Sequence, residues 1–546
     1  MSEIKSKWYN NLLQQQDWWT GWPVVLVLLS SLLLLLGVDM PGWMAQPKAW
    51  EWTDFWNAPA TDKLLAIPHR TNDGDGLGGL AALLVTYLVF AAIFSLSAWF
   101  LRHDIKKSLF GFTLVFLVGW GSWILSHEVH LRAVQAGQSA TLPQFYGDDL
   151  FCISRIEICD QQINAALQTS GTKLHPSRTQ AAAAVESAPD VMRLSWSLQL
   201  GNGTAYLLAL LAGLVLGRYA KRVSAWLDET NQADWFIKSG IVCFGATLGL
   251  MALSVSRHPA NLLLTSAISA GVVFLLLWPA LYVMTRRLFG LARGEAATLC
   301  SGIAAGGITT VLLTASSVRI RPLFPVLLAV WIVIYAALEL LGLPEFFAAM
   351  SGRQPIVGGA ALGLTLKNDI LARAAASTLD QMLVSHHYRA TGVRWGTGMI
   401  SAAGDLVRYW SVVFAALWAL LLAHLWSRYA VADEIETAPD AVVTVQGVSG
   451  YLIGFVLLWG FFSVMALRQP DGMILAGAAM IGGPLREMLF ILGFVAVGAG
   501  LAPGQLRDLG KPLWLYTIGL LVFVPPIALL VAYIFHNGLF PPVAGH

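Results

Sequence analysis

Charge is scarce in this chain: only 12% of its 546 residues are Asp, Glu, Lys or Arg. Soluble globular proteins carry roughly twice that share, about 25%. So large a deficit excludes an ordinary water-facing surface. No block of Lys or Arg stands out and the formal net charge is only +2, so nucleic acid has no electrostatic reason to be a partner. Cysteine is nearly missing too, with 4 in all. Cys243 and Cys300 lie in apolar runs and read as small buried hydrophobes. Cys152 and Cys159 share a long polar loop, and if that loop is periplasmic they form a disulfide.

Motifs of chemistry are missing as well. There is no phosphate-cradling Walker loop, no G-x-S-x-G elbow and no C-x-x-C site, so ATP-driven transport and hydrolysis have no support. Neither an enzyme nor a bound cofactor is expected. His127-Glu128-Val129-His130 lacks the i, i+4 spacing that would put two His on one helix face; it reads as a solvated helix cap. His386-His387 is a loop pair of weak metal potential, and no metal is expected. A cleavable leader is not indicated: the apolar run Val24 to Leu36 follows Lys5, Lys7 and Asp17. The residues after it, Asp39, Pro41 and Trp43, offer no small-residue cleavage site, so the run reads as a retained anchor.

What is abundant is apolar. Hydrophobic residues make up 56% of the chain, with 51 Gly and 22 Trp. Gly lets spanning helices approach closely and Trp collects at membrane interfaces, where Trp43, Trp50, Trp52 and Trp56 form an expected belt. Runs long enough to cross a bilayer cover 22–38, 78–101, 108–127, 200–217, 235–255, 261–285, 296–315, 321–343, 356–384, 397–425, 448–466, 486–502 and 513–535. That makes an all-α polytopic membrane protein of about 13 spans. Residues 1–199 hold the first spans and two long loops, 39–77 and 128–199. Residues 200–425 form the first part of a transporter core and 447–546 the second. The acidic stretch 426–446 reads as a cytoplasmic linker.

Basic residues in short loops set orientation. Arg102, Lys106 and Lys107, then Arg218, Lys221 and Arg222, then Arg286, Arg287 and Arg293 fall at alternate turns. This places the N-terminus in the cytoplasm and the C-terminus outside, in a bacterial inner membrane. Arg319 with Arg321, and Arg389 with Arg394, then fall on the wrong side. Either the local topology differs there or these Arg face a protein interior.

The run Gly240–Gly245 resembles Gly493–Gly498 at an offset of 253 residues. On this topology the two spans run in opposite directions, the mark of an inverted repeat. Two apolar segments are also interrupted by Gly and polar residues. The first holds Cys300, Ser301, Gly302, Gly306, Gly307, Thr309 and Thr310. The second holds Gly358, Gly359, Gly363, Thr365, Lys367, Asn368, Asp369 and Arg373. Gly pairs weaken a helix interior, and half-helix N-termini inside a membrane favour an anion. Charges there cost about 2.5–3.5 kcal/mol each and need a reason. Asp369 and Arg373 stand at i, i+4 and can pair; Asp405 and Arg408 are a second candidate pair. Lys367 has no partner in sequence. The alternative is that 364–373 is a helix end in headgroups or water.

At these segments the chain resembles the YeiH-type family of sulfate exporters, in its longer form with extra N-terminal spans. Leu211–Gly217, Phe236–Gly245, Pro355–Gly363, Leu485–Gly498 and Lys511–Gly519 carry the likeness, in the family's order. The resemblance implies an NhaA-like inverted-repeat fold with two discontinuous, crossing helices, and an inorganic or sulfonate-derived oxyanion as substrate. The chain departs from the family at both breaks: Gly302 to Gly307 stands where a Cys-Gly pair followed by Ser-Ala is usual. Thr365 is followed by Leu366-Lys367-Asn368-Asp369 instead of small uncharged residues.

Together these readings describe a secondary transporter, an exporter of a small inorganic anion such as sulfate or sulfite, working by alternating access. Amides near Ser301, Gly302, Gly306 and Gly307 and the hydroxyls of Thr309, Thr310 and Thr365 would bind the anion. Lys367 and Asn368 would help, with Asp369, Arg373, Asp405 and Arg408 as coupling or ion-pair residues. H⁺ or Na⁺ would be the coupling ion, and a homodimer is compatible with the sequence. The rivals are a Na⁺- or H⁺-coupled bicarbonate or organic-anion transporter and a non-transporting membrane scaffold or sensor. The scaffold predicts that the Gly-interrupted helices are continuous.

Overall fold

The structure is a computed structural model describing residues 16–35, 44–47, 50, 65–66, 79–132, 200, 203–219, 232–256, 258–340, 342–351, 354–391, 395–396, 398–429, 449–468, 474–475, 478–501 and 510–543. Cys152 and Cys159, and with them the expected disulfide, lie outside the described residues, as does the linker from 430 onward.

Among the described residues, every expected apolar run is largely helical. In chain order the helices are α1 Trp22–Leu35, α2 Gly79–Phe100, α3 Ile105–Leu125, α4 Gly203–Tyr219, α5 Gln232–Ser256 and α6 Ala260–Phe289. Then come α7 Arg293–Ala304, α8 Ile308–Ser317, α9 Leu323–Glu339, α10 Leu343–Ser351, α11 Pro355–Thr365, α12 Asp369–Thr391 and α13 Met399–Tyr429. The last are α14 Gly450–Arg468, α15 Gly483–Gly500, α16 Gly510–Ile518 and α17 Val524–His536, the last two joined by the π turn Gly519–Phe523. Among the described residues, 8 helices are long and apolar enough to cross a membrane, or up to 9 if the bent pair α9 and α10 counts as one. The protein is an all-α, multi-pass membrane protein.

Local chemistry explains the boundaries. The Asp104 carboxylate accepts from the Lys106 and Lys107 amides and starts α3. Gly290, left-handed at φ +66°, ends α6 after Arg286 and Arg287; cations in a last turn suit the helix dipole. Pro355 opens α11, where its missing N–H costs nothing.

The buried apolar residues fall into two clusters. One joins α1 to α5 with α14 and α15; the other joins α6, α7, α11, α12, α13, α16 and α17. Residues of α8, α9 and α13 contribute to both, so these helices line the boundary between the two bundles. Within the first bundle the contacts are reciprocal. A Cβ on Gly240 of α5 would come within 2.5 Å of the Phe490 ring on α15, and one on Gly493 of α15 within 2.9 Å of Ile237 on α5. Phe490 and Ile237 stand at the same 253-residue offset as the two glycines. Gly245 likewise packs on the Phe455 backbone of α14, as Gly498 packs on the Leu210 backbone of α4.

The two Gly-broken segments do not cross the bilayer. Each folds back on itself. In the first, Gly294 at the start of α7 lies against Val318 and Ile320 beyond the end of α8, and Gly302 faces Val311. In the second, Gly358 of α11 faces Leu379 of α12. Its base is held at one end: Gly538 N donates to Gln354 Oε1 over 3.1 Å, and Gly396 N donates to the Pro542 carbonyl over 2.7 Å. Helix α9 separates the two bases, so the hairpins enter from opposite sides and meet at their turns. This corrects the expected pair of discontinuous, crossing helices. In the first hairpin the physical reason is the tight turn that paired glycines at φ +75° and +91° allow; the second turns at Leu366-Lys367-Asn368, with Asn368 starting α12.

The fold-back also removes one conflict over charge. Arg319 and Arg321 now share a side with Arg286, Arg287 and Arg293, because α7 and α8 return to the side they left. Arg389, in the last turn of α12, stays on the opposite side, and Arg394 lies outside the described residues.

Two smaller readings change. His127 and Glu128 are buried, not solvated. The His127 ring bonds the Trp123 carbonyl at 2.9 Å, and the backbone beside it pairs with Trp50. Trp50 is itself buried, donating its indole N–H to the Ile124 carbonyl over 2.7 Å. It fastens a loop to the end of α3 and does not belong to an exposed belt.

The two topologies make opposite predictions about labelling. Single cysteines replacing the exposed Arg293 and Arg321 should react with an impermeant maleimide from one side of oriented vesicles, and a cysteine at His386 only from the other. Labelling of 293 and 321 from opposite sides would restore the crossing arrangement.

Candidate functional site

The two hairpin turns, Ala305–Gly307 and Leu366–Asn368, meet deep in the core. The meeting creates a problem of backbone chemistry. The last carbonyls of α7 and α11 have no helical partners, and at this depth there is no hydrocarbon-exposed solution for them. Two cations solve it. Lys367 is 1% exposed, and its ammonium donates to the Leu364 carbonyl over 2.5 Å and to the Ala304 carbonyl over 3.2 Å. Arg408 of α13, 3% exposed, donates from Nη1 to the Ala305 carbonyl and from Nη2 to the Lys367 carbonyl, the latter over 3.4 Å. Each cation therefore bridges both hairpins at the negative ends of their entering helices.

Glycine makes the approach possible. A Cβ on Gly306 would collide with the Lys367 side chain, and one on Gly307 would come within 2.9 Å of Arg408 Nη2. Both positions also have left-handed backbone, at φ +75° and +91°.

The ion pairs differ from those that spacing suggested. Arg408 Nε bonds Asp369 Oδ1 at 2.6 Å, and Arg373 stands 3.8 Å from Asp405. The partners of the two expected pairs are exchanged, because α12 runs antiparallel to α13 and brings 369 opposite 408 and 373 opposite 405. The Asp369, Arg373 and Asp405 side chains remain 38%, 28% and 28% exposed. Charges so deep in the fold are too costly to face lipid, which argues for a crevice open to water beside them. Across that crevice, Arg486 of α15 acts electrostatically on Asp369, and it lies only 3.9 Å from its neighbour Glu487. The crevice thus lies between the two bundles.

Of the expected anion ligands, several are otherwise engaged. Ser301 is buried and accepts the Trp278 indole N–H over 3.0 Å. Gly302 packs on Val311 and Tyr516. Thr365 donates to the Ala361 carbonyl of its own helix over 2.8 Å. Asn368 accepts from the Leu371 amide over 3.2 Å, capping α12. Lys367 is bound to carbonyls, so its charge stabilises the turns and does not stand free. What remains is the start of α8. Its N-cap, Gly307, supplies no side-chain bond. Ile308 and Thr309 are only partly buried there, and Thr310 is buried beside them.

Sequence reasoning missed Arg486 and Glu487, which lie in the motif Leu485–Gly498 that carries the family likeness. It also missed Glu339, Tyr335 and Tyr516 behind the turns. His387 stacks on Trp395 with centroids 3.6 Å apart. Among the described residues no group of three His, Cys, Asp or Glu side chains is placed to hold a metal.

No family model matches the chain, and no solved structure matches it. A curated relative does: the chain is 32% identical over 545 residues to a UPF0324 membrane protein of Nitrosomonas europaea, covering 100% of both.

The junction can be tested by one methyl group. Gly306→Ala adds a collision with Lys367 to its backbone penalty, whereas Gly290→Ala has a similar φ, +66°, and meets nothing within 4 Å. Overpacking costs typically about 1–3 kcal/mol, so Gly306→Ala should melt clearly below Gly290→Ala in detergent. Equal melting temperatures would mean the turns are not tightly joined.

Proposed function

Since the chain belongs to the UPF0324 family of membrane proteins, the YeiH family of the sequence resemblance, we propose that it is a secondary transporter of a small inorganic anion, sulfate or sulfite first, working by alternating access in a bacterial inner membrane. The observation that carries this reading is the pair of opposed hairpins whose turns meet beside a charged crevice. Discontinuous helices at mid-membrane are how many transporters bind solutes without exposing backbone to lipid. The scaffold reading required continuous helices, and these are broken.

The anion would sit at the start of α8. The amides of Ile308, Thr309 and Thr310 open the helix without a side-chain cap, and free amides at a positive helix end favour an oxyanion. The Thr309 and Thr310 hydroxyls would add bonds, and Arg373 and Arg486 would supply charge from the crevice walls. Both Arg are loosely paired, at 3.8 and 3.9 Å, so an anion could compete for them. No bond of the substrate is broken in this account; the protein moves its solute unchanged.

The reciprocal contacts of α5 with α15, and of each with α14 or α4, support reading the chain as an inverted repeat. In that reading the first bundle is the fixed frame, and the second carries the site past it. The N-terminal helices α1 to α3 would brace the frame, since α3 packs on α4 and α15 and α1 on α5 and α14. The N-terminus would lie in the cytoplasm and the C-terminus outside.

Flux of labelled sulfate and sulfite into proteoliposomes tests the proposal. Wild type should show saturable uptake, and Thr309→Val and Arg373→Gln, which leave the bonds between the turns intact, should each cut it about tenfold or more, a loss of 1.4 kcal/mol. Absence of wild-type flux, or full flux in both variants, would sink it. Uptake of bicarbonate in preference to sulfate would favour the rival anion.

A further inference from the structure

Beside the junction, the second bundle holds a polar cluster that the anion site does not use. Glu339 ends α9; its side chain is half-buried, with Oε2 fully enclosed. The Tyr335 hydroxyl, one turn earlier, is the hydrogen-bonding neighbour of that carboxylate, and the Tyr516 hydroxyl of α16 is buried without a partner among the described residues. The two rings meet edge to face, with centroids 6.3 Å apart. Lys367 acts electrostatically on Glu339, and Tyr516 is within reach of both Glu339 and Arg408. Glu339 thus faces Tyr335 of its own helix, Lys367 of the second hairpin and Tyr516 of α16.

A half-buried carboxylate whose enclosed oxygen has only a neutral tyrosine hydroxyl beside it is held less well as an anion than one in water. A metal cation fits less well, because the Lys367 ammonium already occupies the carbonyls of Ala304 and Leu364 that would ligate one and repels a second positive charge. We propose that Glu339 is a proton-binding site, loaded from water as a neutral carboxylic acid and unloaded as a carboxylate, so that H⁺ is the coupling ion. The inference rests on the anion-transport reading for its role, though not for the site itself. Charge balance supplies the coupling. Lys367 and Arg408 are matched by Asp369 and Glu339 when all are ionised. An oxyanion entering beside them leaves an excess of negative charge, and a proton on Glu339 removes one negative charge. Anion and proton therefore favour each other's binding, reciprocally.

Two measurements on the purified full-length protein in lipid test this. Infrared difference spectra over a pH titration need no substrate: wild type should show a protonated-carboxyl C=O band that Glu339→Gln loses. Tyr335→Phe and Tyr516→Phe keep the carboxylate and should displace the band's titration midpoint, which guards against a Glu339→Gln protein that fails to fold. Persistence of the full band in Glu339→Gln, no titrating band in wild type, or unmoved midpoints in both Phe variants would overturn the site. In proteoliposomes, an inward pH gradient should drive sulfate accumulation by wild type, and Glu339→Gln should retain sulfate exchange while losing the response to the gradient. A gradient response retained in Glu339→Gln would overturn the coupling role. A titrating band without any anion flux would instead leave the proton site standing and remove the anion reading.

Discussion

The fold depends on how it satisfies backbone carbonyls where neither water nor a continuing helix can. Two helices, α7 and α11, stop in the middle of the second bundle. Each buried, unbonded carbonyl at such depth costs several kcal/mol, so two abrupt ends would be prohibitive without donors. Lys367 and Arg408 provide them, and each donates to both hairpins. The arrangement needs glycine at 306 and 307, where any side chain would meet the two cations. It also needs Asp369, which holds the Arg408 guanidinium in place at 2.6 Å. Removing any one of these parts leaves another buried and unmatched, so the junction is kept or lost as a unit.

That constraint decides which groups are left for function. A charge inside a membrane protein reads by default as part of a site, and Lys367 was the natural choice for an anion's partner. Its two carbonyl bonds make it a fastener. The more loosely paired charges of the crevice, Arg373 and Arg486, are the ones with room to exchange partners. The proposed binding site of helix-start amides and loosely paired Arg suits the proposed transport, because its contacts can be gained and released without dismantling the turns that hold it.

Much of this was legible in the residues, and the failures have definite causes. The apolar runs marked the long helices, though not α10. The glycine pairs and the charges at 367 and 369 marked both breaks. What run length could not distinguish was crossing from folding back, since 296–315 and 356–384 are each long enough to span a bilayer. The signal that separates them was present in the charges: Arg319 and Arg321 sat on the wrong side only if the first segment crossed. The ion pairs were misassigned because the i, i+4 rule sees one helix, whereas a hairpin lays α12 against α13 and offers closer partners across the gap. Glu339 escaped notice because it closes an otherwise uniform apolar helix, and nothing nearby in sequence shows that Lys367 will face it.

The first bundle and the hairpins relate to symmetry in opposite ways. Gly240 with Phe490 and Gly493 with Ile237 make the same contact twice, so the frame of the proposed inverted repeat keeps matched halves where helix must slide or rock on helix. The two turns have not kept that match: one is Gly306-Gly307, and the other Leu366-Lys367-Asn368. They are complementary, since the glycines leave the space that the lysine fills. A symmetric pair of turns could not do this. Two lysines would leave each other's charge unmatched, and two glycine turns would leave the carbonyls of α7 and α11 without the ammonium. In the proposed repeat, the difference between the turns follows from the need to close two helix ends with two cations, Lys367 from a turn and Arg408 from a neighbouring helix. It also gives the crevice one open helix start, at α8, and one already capped by Asn368 at α12, which leaves a single place where an anion meets uncapped amides.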